Sequence, residues 1–462
     1  MTANDRGTIP LKPRMAGALI PLPAFHQRLW SKLAKQGLPS YRGVGEASLR
    51  IRGPLDIELL RAVLHTVIDR HESLRTRFVA VDGIPQQQVD EAQEIDLPIV
   101  DLSGFSPAKK AGDVNRMLEE FFRETVDLSV GPLIAARLLR LAADEHLLVL
   151  GIDHITTDAA SCAIVRNEIR QLYQQSAGGL PSSLPRIGIQ FPDYAIWQQQ
   201  TREDWQAKHE PYWRKRLHNM PPFNLPSENR QVERDCARVL LDFPLGERQS
   251  AKLAELALRQ RVLLPVVVLS LMLAVVSRWS GLKDLLVTFV SHGRHGRPQL
   301  INTTGLIANH LFLRIEISQD DTLQDLLKKV DLEFHAAHHH EDFDRLPDFI
   351  PGCVRTLSFN WMGSHWTRRS AVQPTTTEGG TTIEPFPIRL KGGQEQQAVP
   401  YLYFISWPNA YDTSEGIVVT VMYQTDHYAR STVECLGRNL RAFADELIQR
   451  QLTTLASLPF HM

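Results

Sequence analysis

Cysteine is scarce in this sequence, and its spacing matches no metal-binding or redox motif. The 462 residues include only Cys162, Cys236, Cys353 and Cys435, with no CxxC pair among them. Scattered cysteines argue against a disulfide scaffold and are typical of proteins kept in the reducing cytoplasm. We therefore expect no disulfide bond and a cytoplasmic location.

The sequence also lacks a surplus of charge of either sign. Lys and Arg total 51 and Asp and Glu total 52, and no segment is a long run of one sign. A balanced composition gives no general attraction to polyanions. The phosphate-binding patterns GxxxxGK[ST] and GxGxxG are missing as well. We therefore expect no nucleic-acid partner.

No hydrophobic run is long enough to cross a bilayer. The longest run, VLLPVVVLSLMLAVVSRW at 262–279, holds about 14 residues before Ser277 and Arg278, whereas a span needs roughly 20. The N-terminus has no apolar segment followed by a cleavage site, so no secretion signal is predicted and the mature chain is expected to start here. We expect a buried core helix at 262–279 and no membrane partner.

The length of the chain predicts two lobes, since 462 residues exceed the usual size of one hydrophobic core. The segment SAGGLPSSLPRIG at 176–188 is rich in Gly, Ser and Pro and is the best linker candidate. We place the boundary near residue 180, which gives lobes at 1–180 and 181–462. Both lobes mix helical periodicity with apolar strands, and the polar tract at 370–387 is predicted to be an exposed loop.

A histidine and an aspartate lie where a predicted strand gives way to a helix. In LLVLGIDHITTDAASCAIVRNEI at 147–169, His154 follows the apolar run and Asp158 comes four residues later. A neutral imidazole can accept a proton near neutral pH if it is aimed at the reacting atom. Asp158 is predicted to hold the turn by pairing with a cation from elsewhere in the fold. A lone histidine at a strand end is more often structural, and that interpretation stays open.

The segment IDHITTDAAS resembles the HHxxxDG signature of condensation domains of nonribosomal peptide synthetases, which belong to the chloramphenicol-acetyltransferase-like HxxxD superfamily. His154 falls on the second histidine of the signature and Asp158 on its aspartate. Other segments resemble the family's landmarks in the same order. They are PLPAFHQRLW, RHESLRTRF, FPDYAIWQQQ, GRHGRPQLINTTGLIANHLFLR, HHHEDFDRL and LSFNWMG. The resemblance covers nearly the whole chain.

This resemblance implies a mixed α/β (α+β) fold. Two acetyltransferase-like lobes would form a V-shaped pseudo-dimer around a central tunnel, with His154 at its midpoint. A floor loop would lie at about 291–305 and a latch at about 370–405. The resemblance also makes Arg294 the first choice as partner of Asp158 and Arg297 the second choice.

The sequence departs from the family pattern at three positions. Asp153 replaces the first histidine, Ala159 replaces the glycine, and Asp342 stands where proline is usual. Asp153 and Ala159 are expected near the site, as is Asn309 of the GLIANHLFLR segment. Because glycine leaves room beside the tunnel, the Ala159 methyl group is the departure that most threatens activity.

The resemblance implies a condensation enzyme that needs no cofactor of its own. An acyl or peptidyl thioester on the phosphopantetheine arm of a carrier protein would be transferred to an amine or hydroxyl, giving an amide or an ester. The sequence contains no GG(H/D)S-like carrier serine and no room for an adenylation domain. We therefore expect a free-standing enzyme that meets an acidic carrier protein at a basic surface.

Three other functions remain open. A coenzyme A-dependent HxxxD acyltransferase is one, although the DFGWG motif of its plant-type branch is missing. A non-catalytic binding module that recruits a tailoring enzyme or a carrier is another, and Asp153 and Ala159 favour it. Epimerisation of a carrier-bound residue is a weaker alternative.

A cluster of histidines near residue 338 has helical spacing. His335, His338 and His339 lie in HAAHHHEDFD, with Glu341 and Asp342 nearby, so they could ligate a metal on one helix face. An exposed polar helix end explains the same pattern. We predict no metal site.

Overall fold

The structure is a computed structural model of the chain. Cys236, Cys353 and most of the predicted latch lie outside the residues that it describes. The described residues are 9–15, 18–36, 40–41, 47–221, 225–227, 238–344, 357–362, 375–376, 379–386, 388, 402–407, 415–449 and 453–461.

Side chains cap the start of several helices in the described residues. The Asp56 side chain accepts from Leu59 N at the start of the helix Ile57–Arg70, and Thr322 and Asp325 form a capping box at the start of the helix Leu323–His339. The helices are α1 Ala24–Gln36, α2 Ile57–Arg70, α3 Pro107–Arg123, α4 Ala159–Ala177, α5 Phe191–Arg216, α6 Glu247–Gln260, α7 Leu264–Ser280, α8 Leu323–His339 and α9 Arg430–Gln449.

Strands alternate with these helices along the chain, so the predicted mixed α/β class is confirmed. The strands are β1 Ile20–Pro21, β2 Ser40–Tyr41, β3 Leu49–Arg52, β4 Thr76–Val81, β5 Ile84–Val89, β6 Ile99–Asp101, β7 Thr125–Val126, β8 Ile134–Ala142, β9 Glu145–Ile152, β10 Arg238–Pro244, β11 Asp284–Ser291, β12 Asn309–Glu316, β13 Leu357–Trp361, β14 Thr375–Thr376, β15 Thr382–Pro385, β16 Leu402–Trp407 and β17 Val418–Gln424.

The chain forms two compact units. The first contains the described residues of Met1–Trp205, His292–Ala308 and Thr367–Leu390. Its main sheet has the strand order β14-β15-β3-β9-β8-β6, in which β8 and β9 are an antiparallel pair. Helices α2 and α4 pack on this sheet through buried aliphatic side chains. The end of β9 leads directly into His154, so this sheet positions the candidate site.

The second unit contains the described residues of Gln206–Ser291, Asn309–Trp366 and Lys391–Met462. Its sheet has the strand order β10-β17-β16-β13-β11-β12. Helix α7 lies in the core of this unit, with every residue from Pro265 to Ser277 buried. A helix that is apolar on all sides belongs in a core, so the predicted buried helix is confirmed.

Most of the long apolar segment lies in α7, and a separate helix, α6, ends just before it. Arg261 takes a left-handed conformation, with φ 58°, and ends α6 before Pro265 enters the first turn of α7. No single described helix has the length and apolar character needed to cross a membrane. Helices α6 and α7 meet the requirements of length and apolar character only when they are taken together, and the chain bends by 109° between the two helices.

The polar tract at 370–387 was expected to be an exposed loop, and this prediction is wrong for its described part. Strand β15 pairs antiparallel with β3, placing Ile383 opposite Ile51. Ile383 is fully buried, and its carbonyl accepts from Arg170 Nε at 3.1 Å. One apolar side chain among polar neighbours gave no local periodicity, because the partner strand is more than 300 residues away in sequence.

Truncation of Ile383 tests this pairing. Ile383→Ala should lower the free energy of unfolding by about 2–5 kcal/mol, because it leaves a cavity in the core of the first unit. Ile84→Ala is the matched control, since Ile84 is 63% exposed and its truncation should cost no more than about 0.5 kcal/mol. Urea unfolding, monitored by circular dichroism, measures the free energy of unfolding of both variants. Equal effects of the two substitutions would contradict the buried position of β15.

Candidate active site

The turn that carries His154 is held by the residue before it. Asp153 follows β9, and its backbone N donates to Leu133 O at 2.9 Å. The Asp153 side chain is buried, and its Oδ1 accepts from Ile155 N at 2.9 Å, which caps the short 3-10 turn His154–Thr156. The carboxylate found where the family has its first histidine therefore fixes the backbone of the turn.

The imidazole of His154 is oriented by a backbone carbonyl. Its Nδ1 lies 2.9 Å from Thr157 O. A carbonyl oxygen only accepts, so Nδ1 carries the proton and, in the neutral ring, Nε2 keeps a lone pair. The side chain is partly buried, and nothing among the described residues hydrogen bonds to Nε2. The ring therefore presents a basic nitrogen that a ligand could reach.

Asp158 begins the helix that follows the turn. It is the N-cap of α4, and its Oδ1 accepts from the backbone N of Ser161 at 2.8 Å and from the Ser161 hydroxyl at 2.7 Å. An N-cap carboxylate satisfies backbone donors that have no partner within the helix. The start of α4 and the turn with His154 thus share one anchor.

Arg294 pairs with Asp158 through two hydrogen bonds. Arg294 Nη1 lies 2.9 Å from Asp158 Oδ2, and Nη2 lies 3.2 Å from Oδ1. Both side chains are buried. The same guanidinium also donates to His292 O at 2.8 Å and to Thr303 O at 2.9 Å. A bidentate ion pair of this kind fixes both the distance and the relative orientation of the guanidinium and the carboxylate.

Two backbone N–H groups complete the coordination of the Asp158 carboxylate. Ile307 N and Ala308 N each donate to Oδ2 at 3.0 Å. Each carboxylate oxygen thus accepts from three donors. With every lone pair in use, Asp158 has no capacity left for a substrate or a proton, and its role is to hold the segment 292–308 against the start of α4.

The carboxylate is ionised despite its burial. Burial alone raises the pKa of Asp158, but the charge and hydrogen bonds of Arg294 and the hydrogen bonds of Ser161 outweigh it, so the pKa lies below its usual value. Burying a charge is costly unless it is paired and hydrogen bonded. Here both conditions are met.

Glycine is required at two positions of the segment that Asp158 holds. Gly293 has φ +69°, and a Cβ there would lie 2.0 Å from Ile307 O. Gly305 has φ +145°, and a Cβ there would lie 2.3 Å from the Phe191 ring. Neither the conformation nor the space suits a side chain. The backbone can therefore approach Asp158 closely.

Two further residues predicted for this region lie apart from the Asp158 carboxylate. Arg297 donates to Gly293 O at 2.8 Å and lies over the Trp197 ring at 5.7 Å. Ala159 is the first residue of α4 and is exposed. Arg294 rather than Arg297 is thus the partner of Asp158, and the Ala159 methyl group does not fill a packed position in the first unit.

Asn309 and Asp342 belong to the second unit and contact each other. Asn309 Nδ2 lies 2.5 Å from Asp342 Oδ1, and Gln206 Nε2 donates to Asp342 O at 3.0 Å. Asp342 has φ +66°, a conformation that the ring of proline forbids. The departure from proline at this position therefore agrees with the local backbone.

The histidines near residue 338 have separate surroundings. His335 lies 3.6 Å from Asp331, and the buried His338 lies 3.5 Å from Glu341. The ring of His339 packs edge-on against His340. Within the part of the chain that the structure describes, no three His, Cys, Asp or Glu side chains converge as metal ligands.

The sequence did not point to Ser161, whose hydroxyl links Asp158 to the segment 292–308. Ser161 Oγ lies 2.7 Å from Asp158 Oδ1 and 3.0 Å from Arg294 Nη2, and it accepts from Gly305 N at 2.9 Å. Its position three residues after an N-cap was the available signal. The contributions of the backbone N–H groups left no trace in the sequence, because they do not depend on side-chain identity.

Comparison with known proteins identifies one family. A sequence model described as "Condensation domain" matches residues 31–348. A linear gramicidin synthase from Brevibacillus parabrevis is 29% identical over 429 residues, which cover 91% of this chain. The chain spans only 8% of the length of that relative.

Solved structures share the fold over nearly the full length. The first condensation domain of the calcium-dependent antibiotic synthetase, in complex with a substrate analogue, has a TM-score of 0.78 at 18% identity, with 96% of this chain and 100% of that chain covered. The X-domain from teicoplanin biosynthesis, in complex with OxyB, has a TM-score of 0.75 at 22% identity, with 99% of each chain covered. At these identities the likeness concerns the fold.

Removal of the Asp158 charge tests the anchor. Asp158→Asn should lower the free energy of unfolding at pH 7 by roughly 3–5 kcal/mol, because it leaves Arg294 buried without a counter-charge. A carboxyl whose pKa is lowered by folding contributes stability above the pKa of the unfolded chain, about 4, and loses it as the pH falls through the folded pKa. The difference between wild type and variant should therefore shrink below about pH 4.

Asp96→Asn is the matched control, since Asp96 is exposed in the same unit. Urea unfolding at several pH values measures both variants. A difference between wild type and Asp158→Asn that stays constant from pH 7 to pH 3 would contradict an ionised anchor.

Proposed function

Because this chain belongs to the condensation-domain family, we propose that it transfers an acyl or peptidyl group from a carrier-protein thioester to an amine or hydroxyl acceptor in nonribosomal peptide biosynthesis. One observation carries the proposal. His154 donates from Nδ1 to Thr157 O, so its Nε2 is the basic nitrogen. The buried ion pair of Asp158 and Arg294 holds the start of α4, the helix that follows the turn of His154.

The chemistry needs little more than this nitrogen. A thioester is already activated, and alignment of the reactants alone can lower the barrier by several kcal/mol. The acceptor nitrogen or oxygen attacks the carbonyl carbon, and its proton passes to His154 Nε2. The carbon–sulfur bond then breaks, and the departing thiolate of the carrier takes the proton back. His154 could instead align the nucleophile by accepting a hydrogen bond, and either role needs its lone pair.

The other site residues hold the backbone on either side of His154 in place. Asp158, saturated by six hydrogen-bond donors, and Arg294 fix the start of α4, while Asp153 fixes the turn before it. No resident cofactor takes part in this scheme, since the phosphopantetheine arm comes with the carrier. Formation of an amide and formation of an ester place the same demands on these residues.

A second candidate is a protein-binding module. A neighbour with this fold is described as a complex with OxyB, which favours a recruiting role for some members of the fold. Transfer from acyl-coenzyme A is a third candidate. The three differ in what they require of His154 and of the donor.

Substitution of His154 separates these functions. His154→Ala should lower the rate of product formation by roughly 10²- to 10⁴-fold, the usual contribution of general acid–base catalysis. The assay supplies either acyl-coenzyme A or candidate acyl-loaded carrier proteins, the latter as separate polypeptides, with a panel of small amines and alcohols. Intact-mass analysis then follows loss of the acyl group from the carrier and appearance of the matching product.

His218→Ala is the control, since His218 is an exposed histidine of the second unit and its loss should leave the rate unchanged. Equal rates of product formation for His154→Ala and wild type would overturn the catalytic role of His154, and a wild type that forms no product would favour the binding module. Strict preference for acyl-coenzyme A would overturn transfer from a carrier. Deuterium exchange at the α-carbon of a loaded carrier, without transfer, would indicate epimerisation.

A further inference from the structure

A second histidine lies against the turn that carries His154. His26 is on α1, inside the segment PLPAFHQRLW, and is 1% exposed. Its Nε2 lies 3.0 Å from Ile155 O. Ile155 directly follows His154 in the 3-10 turn. The proposed reaction gives His26 no part, although its side chain contacts this turn through a hydrogen bond.

The direction of this hydrogen bond follows from its acceptor. A carbonyl oxygen cannot donate, so Nε2 of His26 carries the proton and donates it to Ile155 O. A buried carbonyl that lost this donor would be left unsatisfied, which is costly inside a protein. The bond therefore favours one position of the backbone next to His154.

His26 also contacts the segment held by Asp158 through one aromatic ring. The His26 and Phe191 ring centroids lie 5.1 Å apart, with the planes tilted by 42°. Phe191 packs on Gly305, where a Cβ would lie 2.3 Å from the ring. Gly305 N in turn donates to Ser161 Oγ. The imidazole thus lies between the turn of His154 and the ring that packs on the anchored segment.

The imidazole of His26 stays neutral at pH values near 7. Burial is the main cause that lowers its pKa to about 3, and the nearby His154 lowers it further, while the hydrogen bond to Ile155 and the charge of Asp158 oppose the shift. A neutral ring needs no counter-ion in its buried position. It also adds no positive charge beside His154.

We infer that His26 is a positioning residue, which holds the turn of His154 in its reactive geometry by donating from Nε2 to Ile155 O while packing on Phe191. This inference rests on the proposed function. It assigns His26 no proton transfer and no contact with the substrate. An error of about 1 Å in the placement of a reacting group can cost on the order of 100-fold in rate.

Two substitutions separate the hydrogen bond from the bulk of the ring. His26→Leu removes the donor and keeps an apolar side chain, and His26→Gln keeps an N–H donor. His26→Leu should lower kcat by about 10- to 100-fold with KM for the donor unchanged, because the turn is displaced while the binding surface is kept. His26→Gln should recover most of the loss. The pH profile of kcat should keep its shape in both variants.

His146→Leu is the matched control for loss of a buried imidazole. His146 is 3% exposed and lies six residues before Ile152 on β9, roughly 20 Å along the strand. Its kcat should equal that of wild type. Circular dichroism and urea unfolding of the three variants show whether each remains folded, so a lower kcat can be assigned to geometry.

The outcomes distinguish the inference from the proposed function. If His154→Ala keeps the wild-type rate, the proposed function has failed. If His154→Ala is inactive and folded His26→Leu keeps the wild-type kcat, the positioning role is wrong. Equal losses in His26→Leu and His26→Gln would overturn the role of the hydrogen bond. A change in KM alone, or a shifted pH profile, would assign His26 to substrate binding or proton transfer instead.

Discussion

The carboxylate of Asp158 is the constraint on which the candidate site depends. It accepts from the guanidinium of Arg294, from Ser161 and from the backbone of Ile307 and Ala308. These donors come from the start of α4 and from the segment 292–308, so one buried charge ties together parts of the chain that are far apart in sequence. A buried ion pair is weak evidence for stability, since desolvation offsets much of its attraction. Its value here is that it permits one arrangement of the turn and the segment.

Much of the fold was accessible from periodicity. Strands β11, β12, β16 and β17 are apolar runs in the sequence, and helices α8 and α9 repeat apolar residues at helical spacing. The polar segment AADEH, at 142–146, separates two apolar runs, and these runs form the antiparallel pair β8 and β9. Strand β15 was missed for a physical reason, because its pairing depends on a partner strand over 300 residues away. The lobe boundary near residue 180 stays a prediction.

Several side chains of the candidate site were predicted, whereas the Ser161 hydroxyl and the backbone groups were not. His154 and Asp158 were visible as a pattern, and Arg294 came from the resemblance to a family. The Thr157 carbonyl and the N–H groups of Ile307 and Ala308 could not be found, because any residue supplies them. The departures from the family pattern have local explanations: Asp153 caps the turn, and Asp342 takes a conformation closed to proline. Neither departure removes a group that the proposed reaction uses.

The late strand β15 also affects how the protein is made. Arg52 and Glu384 form an ion pair across 332 positions of sequence, and β15 covers the edge of β3. During synthesis, β3 leaves the ribosome long before its neighbour exists, and for that period its backbone groups can pair with other chains. Contacts this distant in sequence close slowly. The sheet of the first unit therefore stays incomplete until late in synthesis, and a nascent chain stalled before residue 380 would expose the unpaired edge of β3 to chaperones.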